Sequence, residues 1–137
     1  MNEYMTDIAS LGTAAGALFI AGQLGFMYRQ STTKFEDSFT REYRKIIRKI
    51  PVNAMLDKNL SPDEQEAHLT DFYFYFDLCN EQKFYHDKKR IREETWTFWC
   101  DGMKSNFARP AFKSAWKEVC KRAGKDFKEL RDLFPPD

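Results

Sequence analysis

Twenty consecutive residues, 8–27, carry no charge, and as a helix they rise about 30 Å, the thickness of a bilayer's hydrocarbon core. Nothing else in the chain restricts its fold as tightly, because a helix that long and uncharged needs either lipid or a surrounding shell of protein. Eight of the twenty are large and apolar (Ile8, Leu11, Leu18, Phe19, Ile20, Leu24, Phe26, Met27), nine are Ala or Gly, and Ser10, Thr13 and Gln23 are polar. On an insertion scale the seven Leu, Ile and Phe contribute about −2 to −4 kcal/mol, and Gln23 with four glycines offsets much of that. The whole chain has 137 residues, too few to wrap such a helix on every side. The stretch therefore reads as a transmembrane helix; the alternative is an Ala/Gly-rich helix buried in a water-soluble bundle.

Charge sets the expected orientation. Residues 1–28 carry only Glu3 and Asp7, whereas the formal net charge of the chain is +1, with 22 basic side chains that all lie from Arg29 onward. A cleaved secretory signal opens with a basic region and ends in small residues, and neither flank fits, so an uncleaved anchor is expected. Arg29, Lys34, Arg41, Arg44, Lys45, Arg48 and Lys49 follow the stretch closely and predict a cytoplasmic C-terminal domain, with the N-terminus outside a bacterial inner membrane. The same seven side chains are candidates for contact with anionic lipid, which is favoured over nucleic acid because they lie beside the span.

Helices in lipid associate through close backbone approach, which small residues permit. At 100° per residue, Gly12 and Gly16 share a face with Gln23, and Ala17, Ala21 and Gly25 form a second small-residue row on nearly the opposite face. Two different patches suit a ring, in which each subunit presents one surface to each neighbour. Gln23 in mid-span is expensive against lipid and belongs in a helix contact or a watered lumen. The expected interface is thus Gly12, Gly16, Gln23, Ala17, Ala21 and Gly25, and the pore-lining candidates are Thr13, Ile20, Gln23, Leu24 and Met27.

Helical signals fill the remainder. Thr33-Lys34-Phe35-Glu36 fits a capping box, so a second helix starts there or the first continues through. Phe35, Phe39, Tyr43, Ile46 and Ile50 recur at helical spacing until Pro51. Ser61-Pro62-Asp63-Glu64 predicts a helix start and a long, central helix whose apolar positions, Leu69, Phe72, Phe76 and Cys79, are widened by Tyr73, Phe74, Tyr75 and Leu78. His86-Asp87-Lys88-Lys89-Arg90 reads as a solvated connection. Residues 91–107 predict a further helix in which Trp96 and Trp99 pack and Gly102 permits a close approach. Pro110 opens another with Phe112, Ala115, Trp116, Val119 and Ala123 inward, closed by Gly124, and a short last helix buries Phe127, Leu130 and Phe134. The fold expected is all-α: an N-terminal transmembrane helix within residues 1–28, then a cytoplasmic bundle of four to five helices over residues 29–137.

No catalytic constellation emerges. Cys79, Cys100 and Cys120 have no C-x-x-C spacing and read as core thiols, His68 and His86 lack partners at metal-ligand spacing, and no Gly-rich phosphate loop is present. No metal, cofactor or enzymatic activity is assigned. Glu93 with Glu94, and Asp63 with Glu64 and Glu66, sit at helix starts, where the macrodipole favours acids for structural reasons.

The sequence of a hydrophobic N-terminal helix, the segment Phe35-Glu36-Asp37-Ser38-Phe39-Thr40-Arg41-Glu42-Tyr43, the aromatic run Asp71-Phe72-Tyr73-Phe74-Tyr75-Phe76, and Arg109-Pro110-Ala111-Phe112 before Trp116 resembles small bacterial single-span proteins of unassigned function. These in turn are similar to the membrane accessory proteins of RNA-targeting CRISPR systems. The resemblance implies a homo-oligomeric ring with a pore-forming or membrane-depolarising role in antiviral defence. Small helical RNases place an Arg five to seven residues before a His, and neither His68 nor His86 has one, which departs from what has been proposed for some members. The alternative expectation is a non-catalytic tether that recruits a cytoplasmic protein partner.

Overall fold

The computed structural model describes the backbone of residues 2–137 and the side chains of residues 13–137. Among them the chain is all-helical, with seven helices: α1 (Asn2–Ile47), α2 (Val52–Met55), α3 (Pro62–Ala67), α4 (Leu69–Asp87), α5 (Glu93–Ala108), α6 (Pro110–Arg122) and α7 (Lys128–Leu133). They divide into two units, residues 1–35 and 36–137.

The first unit is the N-terminal part of α1. Among the described residues no helix is long and apolar enough to cross a membrane. Fifteen residues of the expected span, 13–27, have described side chains before Tyr28-Arg29-Gln30, and the other five, residues 8–12, lie outside the described side chains. The transmembrane part of the expected fold thus rests on the full stretch of twenty.

Residues 30–33 hold no break: α1 continues through them to Ile47. The expected capping box does not form, because Glu36 turns its carboxylate to Arg92, just before α5, and to Thr95 in its first turn rather than to the Thr33 backbone. Beyond Glu36, α1 buries Phe39 and Ile46, and Ile50 is buried in the turn that follows. Tyr43 is half-buried.

Within the second unit, Ser61 caps α3 as its sequence predicts, its Oγ accepting from Glu64 N–H at 3.2 Å with Pro62 in the first turn. The single long helix expected there is instead two. At His68 the backbone leaves helical geometry (φ −108°, ψ 10°), ending α3 and starting α4, and the His68 ring sits 3.1 Å from Asp71 Oδ2. This split and the short α2 raise the helix count above the four to five expected.

α4 is central, packing against α3, α5, α6 and α7. Phe72, Tyr75, Phe76, Leu78 and Cys79 are buried along it, while Tyr73 and Phe74 stay exposed. Aromatic rings make the core through edge-on and tilted contacts: Phe72 to Phe112 at 5.2 Å, Phe76 to Trp116 at 4.8 Å, and Trp116 to Phe127 at 5.7 Å. Phe134 stacks flat on Phe107 at 4.1 Å, and its carbonyl accepts from Trp116 Nε1 at 2.8 Å. Gly124, at φ +62°, closes α6 in the left-handed conformation that glycine adopts without steric cost.

Side chains distant in sequence finish the helix ends. Asn80 of α4 accepts from Leu130 N–H at 2.9 Å and donates to Glu129 at 3.2 Å, capping α7. Arg131 of α7 donates to the carbonyls of Cys120, Gly124 and Asp126, satisfying acceptors at the end of α6 and in the connection after it. The connection at residues 86–90 is only partly solvated: α4 runs on through His86, whose ring stacks on Trp96 at 4.4 Å and lies 2.8 Å from Glu93 Oε1. Lys88, Lys89 and Arg90 are exposed.

Candidate functional site

The sequence-predicted site residues lie on α1 or, for Arg48 and Lys49, in the turn after it, and the described ones other than Gly25 are exposed. Leu18, Phe19, Ile20, Leu24, Phe26 and Met27 are 58–75 % exposed, an apolar surface that runs around the helix instead of along one stripe. Thr13, Ala17, Ala21 and Gln23 are exposed as well, Gly25 is half-buried, and Gly12 lies outside the described side chains. A Cβ built on Gly16, Gly22 or Gly25 meets no neighbouring atom within 4 Å. The space beside these glycines is open to another helix.

The seven basic residues are all exposed, and none forms an ion pair among the described residues. Arg29 and Lys34 belong to the first unit. Arg41, Arg44, Lys45, Arg48 and Lys49 belong to the second, where they crowd the C-terminal turns of α1 and the residues just after it, a helix end that favours cations.

From the sequence, Glu36 is expected only to complete a cap. In the structure it is 3 % exposed and accepts from Arg92 N–H at 2.9 Å, Arg92 Nε at 2.9 Å, Arg92 Nη2 at 2.6 Å and Thr95 Oγ1 at 2.9 Å. Burial pushes its pKa up, but the bonds from Arg92 and Thr95 and the Arg92 charge outweigh this and hold the carboxyl below its ordinary range. The pair fastens residues 36–47 of α1 to the start of α5.

A second polar chain runs through the bundle. Asn106 donates to Tyr75 Oη at 2.8 Å and accepts from Arg109 at 2.8 Å, and Arg109 continues to the Met55 carbonyl at 3.0 Å. Burial, together with the adjoining Cys79 thiol, pushes the Tyr75 phenol well above its ordinary pKa and keeps it neutral. Burial likewise raises Cys79 to about 12, which makes it an inert core thiol. Cys120 is buried, Cys100 is half-buried, and all three cysteines are free.

Beside this chain a groove of about 570 Å³ opens between α1, α4 and α5. Tyr43, Phe98, Trp99 and Met103 form much of its wall. Gly102 was expected to admit a close helix approach, but a Cβ placed there meets nothing within 4 Å, and the missing side chain widens the groove instead. Phe98 is 77 % exposed at the groove, whereas Trp99, its neighbour, packs edge-on against Phe39 at 5.5 Å. No family model, curated protein or solved structure matches the chain.

Proposed function

We propose that this chain is an oligomeric single-pass protein of a bacterial inner membrane, acting without catalysis by forming a pore or depolarising the membrane in antiviral defence. One observation carries the membrane part: large apolar side chains stand exposed around α1 in a segment with no charge before Arg29. Exposing that much contiguous apolar surface to water is unfavourable by roughly 25 cal/mol per Å², and lipid or other copies of the chain remove the cost. Residues 8–12, which include Ile8 and Leu11, complete the twenty that a bilayer requires.

Self-association follows from the same helix. The Gly12/Gly16/Gln23 and Ala17/Ala21/Gly25 rows give two dissimilar faces, and the open space at Gly16 and Gly25 leaves room for a neighbouring backbone. Thr13, Ile20, Gln23, Leu24 and Met27 are the lumen candidates; a mostly apolar constriction of this kind gates by dewetting, so a small helix rotation switches conduction. The pore and defence roles draw on the family resemblance. Arg29, Lys34 and the following cations rest against anionic headgroups.

A tether is the second reading, favoured by the second unit's own closed aromatic core, which gives a self-contained body for a cytoplasmic protein partner to recognise. Replacing residues 1–28 with an unrelated single span separates the two. The pore reading predicts loss of dye leakage from loaded vesicles and loss of defence in cells; retention of defence with the foreign span overturns it in favour of the tether.

A further inference from the structure

The groove between α1, α4 and α5 holds one buried polar side chain that the fold leaves unused. Gln82 is 5 % exposed and lines the groove, yet its side-chain amide has no hydrogen-bond partner. No fully buried side-chain N or O atom among the described residues lacks a partner, so the Gln82 amide keeps a small opening to solvent, on a residue that lines the groove. Tyr75 and Asn106, its polar neighbours there, are already engaged with each other. An amide on a residue only 5 % exposed, without a partner in the fold and with a small opening to solvent, is available to a ligand.

We propose that this groove binds a nucleobase, whose edge pairs with the Gln82 amide and whose ring lies among Tyr43, Phe98 and Trp99. The carboxamide offers donor and acceptor side by side, which suits the paired donor and acceptor on a base edge. Aromatic side chains stack bases with little regard to sequence. A purely apolar anchor seated here desolvates the amide and leaves it unpaired, which argues against a Leu or Phe from a partner protein. The volume falls in the range of about 300–1,000 Å³ typical of small-molecule sites. Arg44 of α1 and Asp101 of α5, exposed at the same groove and without ion-pair partners, supply one cation and one anion for the sugar or phosphate.

The test is saturation-transfer NMR on the full chain in detergent micelles with adenosine, guanosine, cytidine, uridine and their 5′-monophosphates, each at about 1 mM. At least one compound is expected to bind, and Gln82→Leu to weaken it tenfold or more while Phe74→Ala, outside the groove, leaves it unchanged. Tighter binding of the monophosphate, reversed by Arg44→Gln, identifies a nucleotide; equal binding identifies the base or nucleoside. Because Gln82 supports no internal bond, Gln82→Leu is expected to melt at the same temperature as the parent or higher. Tyr43→Ala, at a half-buried wall position, gives an independent reduction in binding. Absence of binding by all eight compounds, undiminished binding in Gln82→Leu, or a lowered melting temperature in that variant overturns the proposal.

Discussion

At Glu36, burial and hydrogen bonding act in opposite directions and the bonds prevail, so the carboxylate stays ionised within the fold. Its folded pKa lies below the unfolded value near 4.5, so its stabilisation is complete above that pH and is lost as pH falls through the folded pKa. Glu36→Gln is expected to lower the thermal midpoint at pH 7 by about 5–10 °C and to flatten the acid limb of the stability curve, both measurable by circular dichroism. Asp77 behaves in reverse. Burial and the nearby Asp126 raise its pKa, so its contribution favours the fold at low pH and is lost as pH rises, and Asp77→Asn is expected to raise the midpoint at pH 7. Tyr75→Phe leaves the Asn106 amide without its acceptor and is expected to cost about 1–3 kcal/mol in denaturant unfolding. The cap at Ser61 was legible because its partner is three residues away. The Glu36 bonds were not, since Arg92 and Thr95 lie 56 and 59 residues downstream and nothing local marks them.

Elements were legible where a local residue ends or begins them. Pro110 and Gly124 bracket α6 as expected, and Gly124→Ala, forced to keep φ near +62°, is expected to destabilise the chain by about 1 kcal/mol. The break at His68 has no Pro or Gly to mark it in the sequence; it arises where α3 hands over to α4 beside the His68–Asp71 contact. The Thr33 capping signal was present but silent, because Glu36 has stronger partners than a local N–H. Gly102 shows that a helical glycine need not mean close packing. With open space around it, Gly102→Ala is expected to stabilise α5 by about 0.5–1 kcal/mol, read as a higher denaturation midpoint.

For the whole molecule, hydrophobic periodicity was enough to give an all-α chain with α4 at its centre, since Phe72, Tyr75, Phe76 and Cys79 spread round most of one helix and need neighbours on several sides. The groove was illegible, because its amide, aromatic walls and charged residues come from three helices far apart in sequence. Residues 8–27 were legible as a problem in solvation, and the exposed Leu18, Phe19, Ile20, Leu24, Phe26 and Met27 keep that problem open within a single chain. In the proposed reading, lipid and further copies resolve it together. The decisive measurement is the protein mass of the particle extracted from membranes in mild detergent, by light scattering with the detergent subtracted. The account predicts several times the 16.3 kDa of one chain, collapsing toward one chain in Gly16→Leu and Ala21→Leu; a parent protein of single-chain mass contradicts it.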